Sequence, residues 1–313
     1  MNNKKKIKKI FKPFHLLLIL CMLTLSGCGL PGLSATGDDT IVVSSMGTSE
    51  SQILAYMIIE LIEHETDYPV DLMNNLGSAY VNQQALENND ADITAARYTG
   101  TDWVAVLGKK PTSDTELITQ TIKTEFKNRY GYKYYDTYGF PNTYVFMVTK
   151  ETAEKYNLSK VSDLKNVADE LRAGFDVNWL NREGDGYEGF VKTYQFDFKN
   201  RYPMQLGLVY DALAAGKMDV VLGYSTDGRI SSYDLVLLED DLNFFPPYDT
   251  CAVANDRIIN DYPEIDELIE RLVGKIDIET MQHLNYIADH HLVEPQIVAR
   301  DFLKENNYFR GEN

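Results

Sequence analysis

The chain has few cysteines, three in 313 residues: Cys21, Cys28 and Cys251. That scarcity excludes a small disulfide-stapled scaffold, which needs an even set of closely spaced cysteines. Histidine is almost as sparse, and His64, His283, His290 and His291 have no partners at metal-ligand spacing, so no metal site is expected. A glycine-rich phosphate loop and a serine nucleophile elbow are both missing, which removes the usual routes to nucleotide binding and acyl transfer. Positive charge is also short, with 30 Lys+Arg against 47 Asp+Glu and a net charge of −17. A surface of that sign repels nucleic acid and anionic headgroups. Long apolar runs are absent except for one near residues 14–25, and that run is too short for the roughly 20 residues needed to span a bilayer.

The single apolar run has the flanks of an export signal. Lys4, Lys5, Lys6, Lys8, Lys9 and Lys12 precede it, and Leu25-Ser26-Gly27-Cys28 closes it in the manner of a bacterial lipobox. Residues 1–27 are therefore expected to be a lipoprotein signal peptide, with Cys28 lipidated as the new N-terminus. Ordinary cleavage beside an incidental cysteine is the alternative. Residues 28–37, rich in small residues and proline, read as a tether. Loss of six leader lysines and no acids takes the charge to −17 − 6 = −23 and leaves Cys251 as the sole thiol. The expected place is the extracytoplasmic face of the cell membrane, held there by the lipid.

The remaining chain is long for one core, so two lobes are expected. Short apolar strands alternate with amphipathic helices, which predicts an α/β fold with mostly parallel strands and helices on both faces. Thr40 to Ser45 opens as a strand, and Ser49-x-x-Gln52 fits a capping box before a helical pattern of Ile53, Met57, Ile58, Leu61 and Ile62. Residues 112–135 read as one polar helix. Strands are expected at Asp92 to Arg97, Tyr144 to Thr149, Phe175 to Val177, Asp219 to Gly223, Leu235 to Leu238 and Thr250 to Ala254, with a helix from Met204 to Ala215. One internal similarity stands out. Ala85-Leu86, then Asp92-Ile93, then Tyr98-Thr99 is echoed by Ala212-Leu213, Asp219-Val220 and Tyr224-Ser225. Both copies place a tyrosine at the carboxyl end of a strand, where open α/β sheets bind ligands.

Tyrosine is abundant, 21 against 2 Trp. Four stretches carry the tyrosines of interest: Arg97-Tyr98-Thr99-Gly100, Asn142-Thr143-Tyr144, Gly223-Tyr224-Ser225-Thr226-Asp227 and Phe244-Phe245-Pro246-Pro247-Tyr248. Singly, each ring reads as a packing residue with its hydroxyl at the surface. Together they could form an aromatic box. A quaternary ammonium has no N–H to donate, so aromatic faces are the means of recognising it, at about 0.5–2 kcal/mol per ring. Arg97 and Arg229 could clamp an anion, although local ion pairs are the commoner outcome for such residues.

These stretches, with Asn75-Leu76-Gly77-Ser78, Tyr138-Gly139-Phe140-Pro141, Gly207-Leu208-Val209-Tyr210-Asp211-Ala212 and Thr226-Asp227-Gly228-Arg229, resemble the substrate-binding lipoproteins of osmoprotectant ABC importers. The resemblance runs in order through almost the whole chain after the leader. It implies a two-lobed periplasmic-binding-protein fold of type II with two crossovers, lobe one at 38–137 plus 246–313 and lobe two at 138–245. It implies a cage of Tyr98, Tyr144, Tyr224 and Tyr248 around glycine betaine, carnitine or choline, with Ser78, Thr101 and Asn142 reading the ligand's other end. The first strand-to-helix turn departs from many members by carrying Met46 in place of glutamine. Neutral Thr101 implies a broad range of ligands, where a carboxylate there would favour choline. A permease of an ABC importer is the implied partner and a monomer the expected state, with no cofactor and no enzymatic activity. The competing readings are a receptor for another small cationic or zwitterionic solute, or a surface enzyme using the same cleft.

Overall fold

Runs of adjacent apolar residues, such as Ile41-Val42-Val43, Phe146-Met147-Val148 and Val220-Val221-Leu222, require strands covered on both faces. The computed structural model describes residues 40–310 apart from 111, 183 and 185 and contains two such sheets. The segments expected to be a signal peptide and a tether, with Cys28, lie outside the described residues.

The first sheet holds β1 (Ile41–Met46), β2 (Val70–Leu76), β3 (Ile93–Tyr98), β4 (Tyr132–Pro141) and β10 (Asp249–Asn255) in the order β2-β1-β3-β10-β4. The second holds β5 (Tyr144–Thr149), β6 (Arg172–Asp176), β7 (Asn200–Met204), β8 (Val220–Tyr224) and β9 (Leu235–Leu238) in the order β7-β6-β8-β5-β9. In each, the first three strands are parallel and the last two join antiparallel. The sheets are therefore mixed, where mostly parallel strands were expected. The antiparallel members are the strands that carry the chain out of one sheet and into the other. Odd and even residues of a strand enter different cores: Ile41 and Val43 face the Ser49–Glu65 helix, while Val42 packs with Phe126 and Trp103 on the other side.

The internal echo has a structural counterpart. Asp92 Oδ2 accepts from the Val42 amide at 2.9 Å, and Asp219 Oδ2 accepts from the Arg172 amide at 2.8 Å. Each aspartate thus caps the start of the neighbouring parallel strand, and β3 and β8 are the equivalent strands of the two sheets.

Several local expectations change. The helix expected over 112–135 runs only from Thr115 to Tyr130, because Gly131 adopts φ 69° and returns its amide to the Lys127 and Phe126 carbonyls. From Tyr132 the chain extends as β4 and stays in the first sheet to Pro141, opposite Asp249. The chain therefore passes between sheets at Asn142-Thr143. β7 escaped notice because it is an exposed edge strand containing Pro203, tolerated there since an edge leaves one side without ladder bonds. The cap of the Ser49–Glu65 helix is Thr48, whose side chain accepts from the Ser51 amide, so the expected Ser49–Gln52 box does not form.

Candidate ligand-binding site

A cavity of about 450 Å³ lies where the carboxyl ends of β1, β3 and β8 meet the start of β5. Tyr98, Tyr144, Tyr224 and Tyr248 all line it, with Met46, Thr101 and Asn142. The rings are placed by local chemistry. Antiparallel pairing sets Tyr144 directly opposite Tyr224, with ring centroids 5.0 Å apart and planes tilted by 46°. Tyr224 is braced from behind by Tyr210, whose hydroxyl accepts from the Tyr224 amide at 2.7 Å and donates to its carbonyl at 3.2 Å. Gly223 makes room for that hydroxyl, since a Cβ there would come within 2.7 Å of it.

Tyr248 reaches the cavity because residue 100 is glycine. A Cβ at Gly100 would sit 2.5 Å from the Pro247 carbonyl oxygen and 3.1 Å from the Tyr248 ring. Thr99 fixes the same segment, donating to the Pro247 carbonyl at 3.2 Å and accepting from the Asp249 amide at 3.1 Å. Tyr98 donates its hydroxyl to Glu50 Oε1 at 2.7 Å, and Asn142 Nδ2 donates to the same oxygen at 2.9 Å. Burial, then the charge and hydrogen bond of Glu50, push the Tyr98 hydroxyl well above its ordinary pKa, so it stays a donor. Burial also raises Glu50, against the lowering effect of Thr226, Asn142, Tyr98 and Asn285.

Ser78 is not at the cavity. It caps the Ala79–Glu87 helix, accepting from the Val81 amide at 3.3 Å, and only its neighbour Ala79 reaches the lining. Thr48 and Ser49 do line it, at the start of the Ser49–Glu65 helix. Arg97 is buried and paired with Asp102 at 2.5 Å, while Arg229 holds Asp227 at 2.9 Å and Asp211 at 3.2 Å. Both arginines thus form local ion pairs. Among the described residues no group of His, Cys, Asp and Glu could hold a metal.

Sequence reasoning missed Glu50, Arg182, Thr226, Asp227, Asn285 and Asp289, all of which line the cavity. An acid in the first turn of a helix reads as an ordinary partner of the helix dipole, so Glu50 gave no distinct signal. Arg182 sits over the Tyr144 ring at 5.2 Å, in a stretch without regular pattern. Asn285 and Gln282 belong to the Ile278–His290 helix, whose other face enters the first core. They donate to the Thr226 and Ser225 carbonyls at 2.8 and 2.7 Å and so tie the first half of the structure to the loop after β8.

A larger cavity of about 510 Å³ lies behind the crossing segments and shares Tyr144 and Tyr248. It lacks Tyr98, Tyr224 and the polar groups that converge on the first, which is therefore the better site for a small polar ligand.

Two sheets of matching topology with a polar, aromatic cavity at their facing strand ends define a two-lobed solute receptor of the periplasmic-binding-protein type. The chain belongs to the family described as the substrate-binding domain of ABC-type glycine betaine transport systems, which matches residues 39–305. That family consists of substrate-binding receptors that act outside the cytoplasm, not of enzymes. The chain is 52% identical over 306 residues to the carnitine transport binding protein OpuCC of Listeria monocytogenes, covering 98% of this chain and 99% of the relative. It is 32% identical over 303 residues to the ergothioneine transport permease/ergothioneine binding protein EgtU of Helicobacter pylori, covering 96% of this chain and 54% of the relative. A crystal structure of a glycine betaine/carnitine/choline ABC transporter protein superposes with a TM-score of 0.83 at 49% identity, over 86% of this chain and 99% of that one.

Proposed function

We propose that the chain binds quaternary-ammonium compatible solutes, glycine betaine, carnitine and choline, between its two halves and delivers them to the permease of an ABC importer. The observation that carries this is the convergence of four tyrosines, two from each sheet region, on one cavity. Tyr98 and Tyr248 come with the first sheet and Tyr144 and Tyr224 with the second, so a cation among them holds the halves together and couples occupancy to closure. Four rings supply on the order of 2–8 kcal/mol. A micromolar complex needs about 8 kcal/mol, so polar contacts must add to the cage. Thr101, Asn142 and Arg182 face the same space and suit a carboxylate or hydroxyl, as do the amides at the start of the Ser49–Glu65 helix. Ser78 is left out of this reading. Met46 offers no polar contact at the turn after β1.

The permease as partner is supported by the Helicobacter relative, whose name joins permease and binding protein in one chain. The lipobox at Cys28 supports a lipid anchor that keeps a monomeric receptor at the membrane surface. The lobe boundaries follow the crossings, with the first lobe reaching Pro141 and resuming near Asp249.

Calorimetry with glycine betaine, carnitine and choline tests the reading, and all three are expected to bind. Saturating betaine should raise the melting midpoint, and Tyr224→Ala or Tyr98→Ala should abolish the shift. Binding of choline alone would refute the broad range. No shift with any quaternary amine would leave the receptor for another small cationic or zwitterionic solute.

A further inference from the structure

Among the described residues three carboxylates line the cavity, and they are not equivalent. Asp227 is neutralised by Arg229, which contacts it through Nε and Nη2 at 2.9 Å each. Asp289 lies at the exposed rim and accepts from Ser49 Oγ. Glu50 is only 3% exposed and has no ion pair among the described residues. Its Oε1 accepts from Tyr98 and Asn142, and Thr226 and Asn285, which also favour its charged form, are neutral like them. Asn142 Oδ1 and Asn285 Oδ1 are buried beside Glu50 without a hydrogen-bond partner among the described residues. Glu50 therefore acts on a guest of the cavity through its charge at short range and not through an exposed oxygen.

The neighbouring groups allow that carboxyl to ionise. Glu50 lies in the first turn of a 17-residue helix, where the backbone dipole favours an anion. Among the described residues the other titratable and charged groups that line the cavity are Tyr98 from β3, Tyr144 from β5, Tyr224 from β8, Tyr248 before β10, Asp227 from the loop after β8, Asp289 from the Ile278–His290 helix and Arg182. Of these, only Arg182 carries positive charge, and it lies over Tyr144 on the second-sheet side.

We propose that Glu50 sets the charge preference of the cavity, favouring a net-cationic quaternary amine over a zwitterionic one through the negative charge it places in the wall beside Tyr98. The proposal rests on the tyrosine-cage reading and adds a specificity residue to it. A cation feels the full attraction of Glu50. A zwitterion brings its own carboxylate, whose repulsion offsets part of that attraction. Glu50 also orients the Tyr98 ring, but that role alone would affect all ligands of the cage alike.

The test is calorimetry of the full chain with choline, net charge +1, and glycine betaine, net charge zero. It compares the wild type with Glu50→Gln, which keeps an oxygen to accept from Tyr98 and Asn142. Choline affinity should fall about tenfold and betaine affinity less than about threefold. As a second measurement, the choline-to-betaine affinity ratio of the wild type should decline as the pH is lowered from neutral and Glu50 takes up its proton. That ratio should be flat in Glu50→Gln, which separates Glu50 from Asp289 at the rim. If the variant does not fold, the wild-type pH series decides alone. Equal loss of both ligands, or a wild-type ratio independent of pH, overturns the proposal while leaving the cage intact. Binding of neither ligand by the wild type overturns the cage reading and this proposal together.

Discussion

The two halves share a strand pattern but are filled by different chemistry. The core beside the Ser49–Glu65 helix is largely aliphatic, built from Ile41, Val43, Ile53, Leu54, Met57, Ile58, Leu61 and Ile62. The core of the second sheet is aromatic, with Phe146, Phe175, Trp179, Phe190, Phe198 and Phe245 in mutual contact. The difference reaches the cavity. Tyr144 rests on Trp179 and Phe245, at ring separations of 6.4 and 5.9 Å, so its position is set by packing. Tyr98 is set by a hydrogen bond to a buried carboxyl, and Tyr248 by a backbone that passes close over Gly100. Tyr144 is therefore held by ring packing and Tyr98 by a directional polar contact, which responds to charge.

The largest effect should come from breaking the aromatic side. Trp179→Ala removes a fully buried ring that touches Tyr144, Phe146, Phe175, Tyr187, Phe190 and Phe245. A loss of about 3–5 kcal/mol in denaturant unfolding is expected. Because Trp179 supports Tyr144, ligand affinity should fall as well. Ile58→Ala, in the aliphatic core, should cost about 2–5 kcal/mol and leave the affinity of the folded fraction near wild type. Equal loss of affinity in both variants would show that the halves do not support their tyrosines separately.

Next in size is Gly100→Ala. The added methyl cannot coexist with the Pro247 carbonyl at 2.5 Å, so the Pro247-Tyr248 segment must move. Stability should drop by about 1–3 kcal/mol, and affinity should fall with the displaced ring. A variant that melts and binds like the wild type would mean the segment relaxes freely and that Gly100 has no part in placing Tyr248.

The two hydroxyls sharpen the contrast further. Tyr98→Phe removes a 2.7 Å bond to a carboxyl and should cost about 1.5–3 kcal/mol, the usual range for bonds to charged groups. Among the described residues Tyr144→Phe loses a 3.4 Å contact with Arg182 and an interaction with the Tyr224 hydroxyl, both between part-exposed or neutral groups, so a smaller change of about 1 kcal/mol or less is expected. Melting curves of the ligand-free proteins distinguish the two, and a reversed order would contradict the contrast between a packed Tyr144 and a hydrogen-bonded Tyr98.

These differences bear on how much the sequence reveals. β5, β8 and β9 of the second sheet announce themselves through apolar runs, and the four tyrosines could be named because each adjoins a strand end or a proline. β4 was hidden because its tyrosines continue, without a visible break, the pattern of the preceding helix. Only the left-handed Gly131 separates them. β7 was hidden by its exposure and Pro203. Within the cavity the four tyrosines, Thr101 and Asn142 were legible and the charged groups were not. Glu50, Asn285 and Arg182 meet the tyrosines only through tertiary contacts between segments far apart in the chain, and no local spacing signals that meeting. Ser78 shows the converse error, a polar residue beside the site whose side chain is consumed by its own helix cap.

The smallest effect concerns the resting stability of the polar side. Burial raises the Glu50 pKa from its ordinary 4.5, so the folded protein holds that proton more tightly than the unfolded chain does. For a carboxyl shifted upward, stability is greatest below the unfolded value and declines as pH rises through the interval up to the folded value. Above that interval the buried charge is therefore a cost to the ligand-free fold, and there Glu50→Gln should melt above the wild type. That gap should close as the pH is lowered below 4.5, where Glu50 is protonated in both states. The same substitution should weaken choline binding, so the variant would be more stable and less selective for charge. A carboxyl that destabilises the empty receptor and favours a cationic guest is one whose charge serves binding. Should Glu50→Gln melt below the wild type above that interval, the carboxyl would instead be a net structural support of Tyr98 and Asn142, and the polar half would resemble the packed half after all.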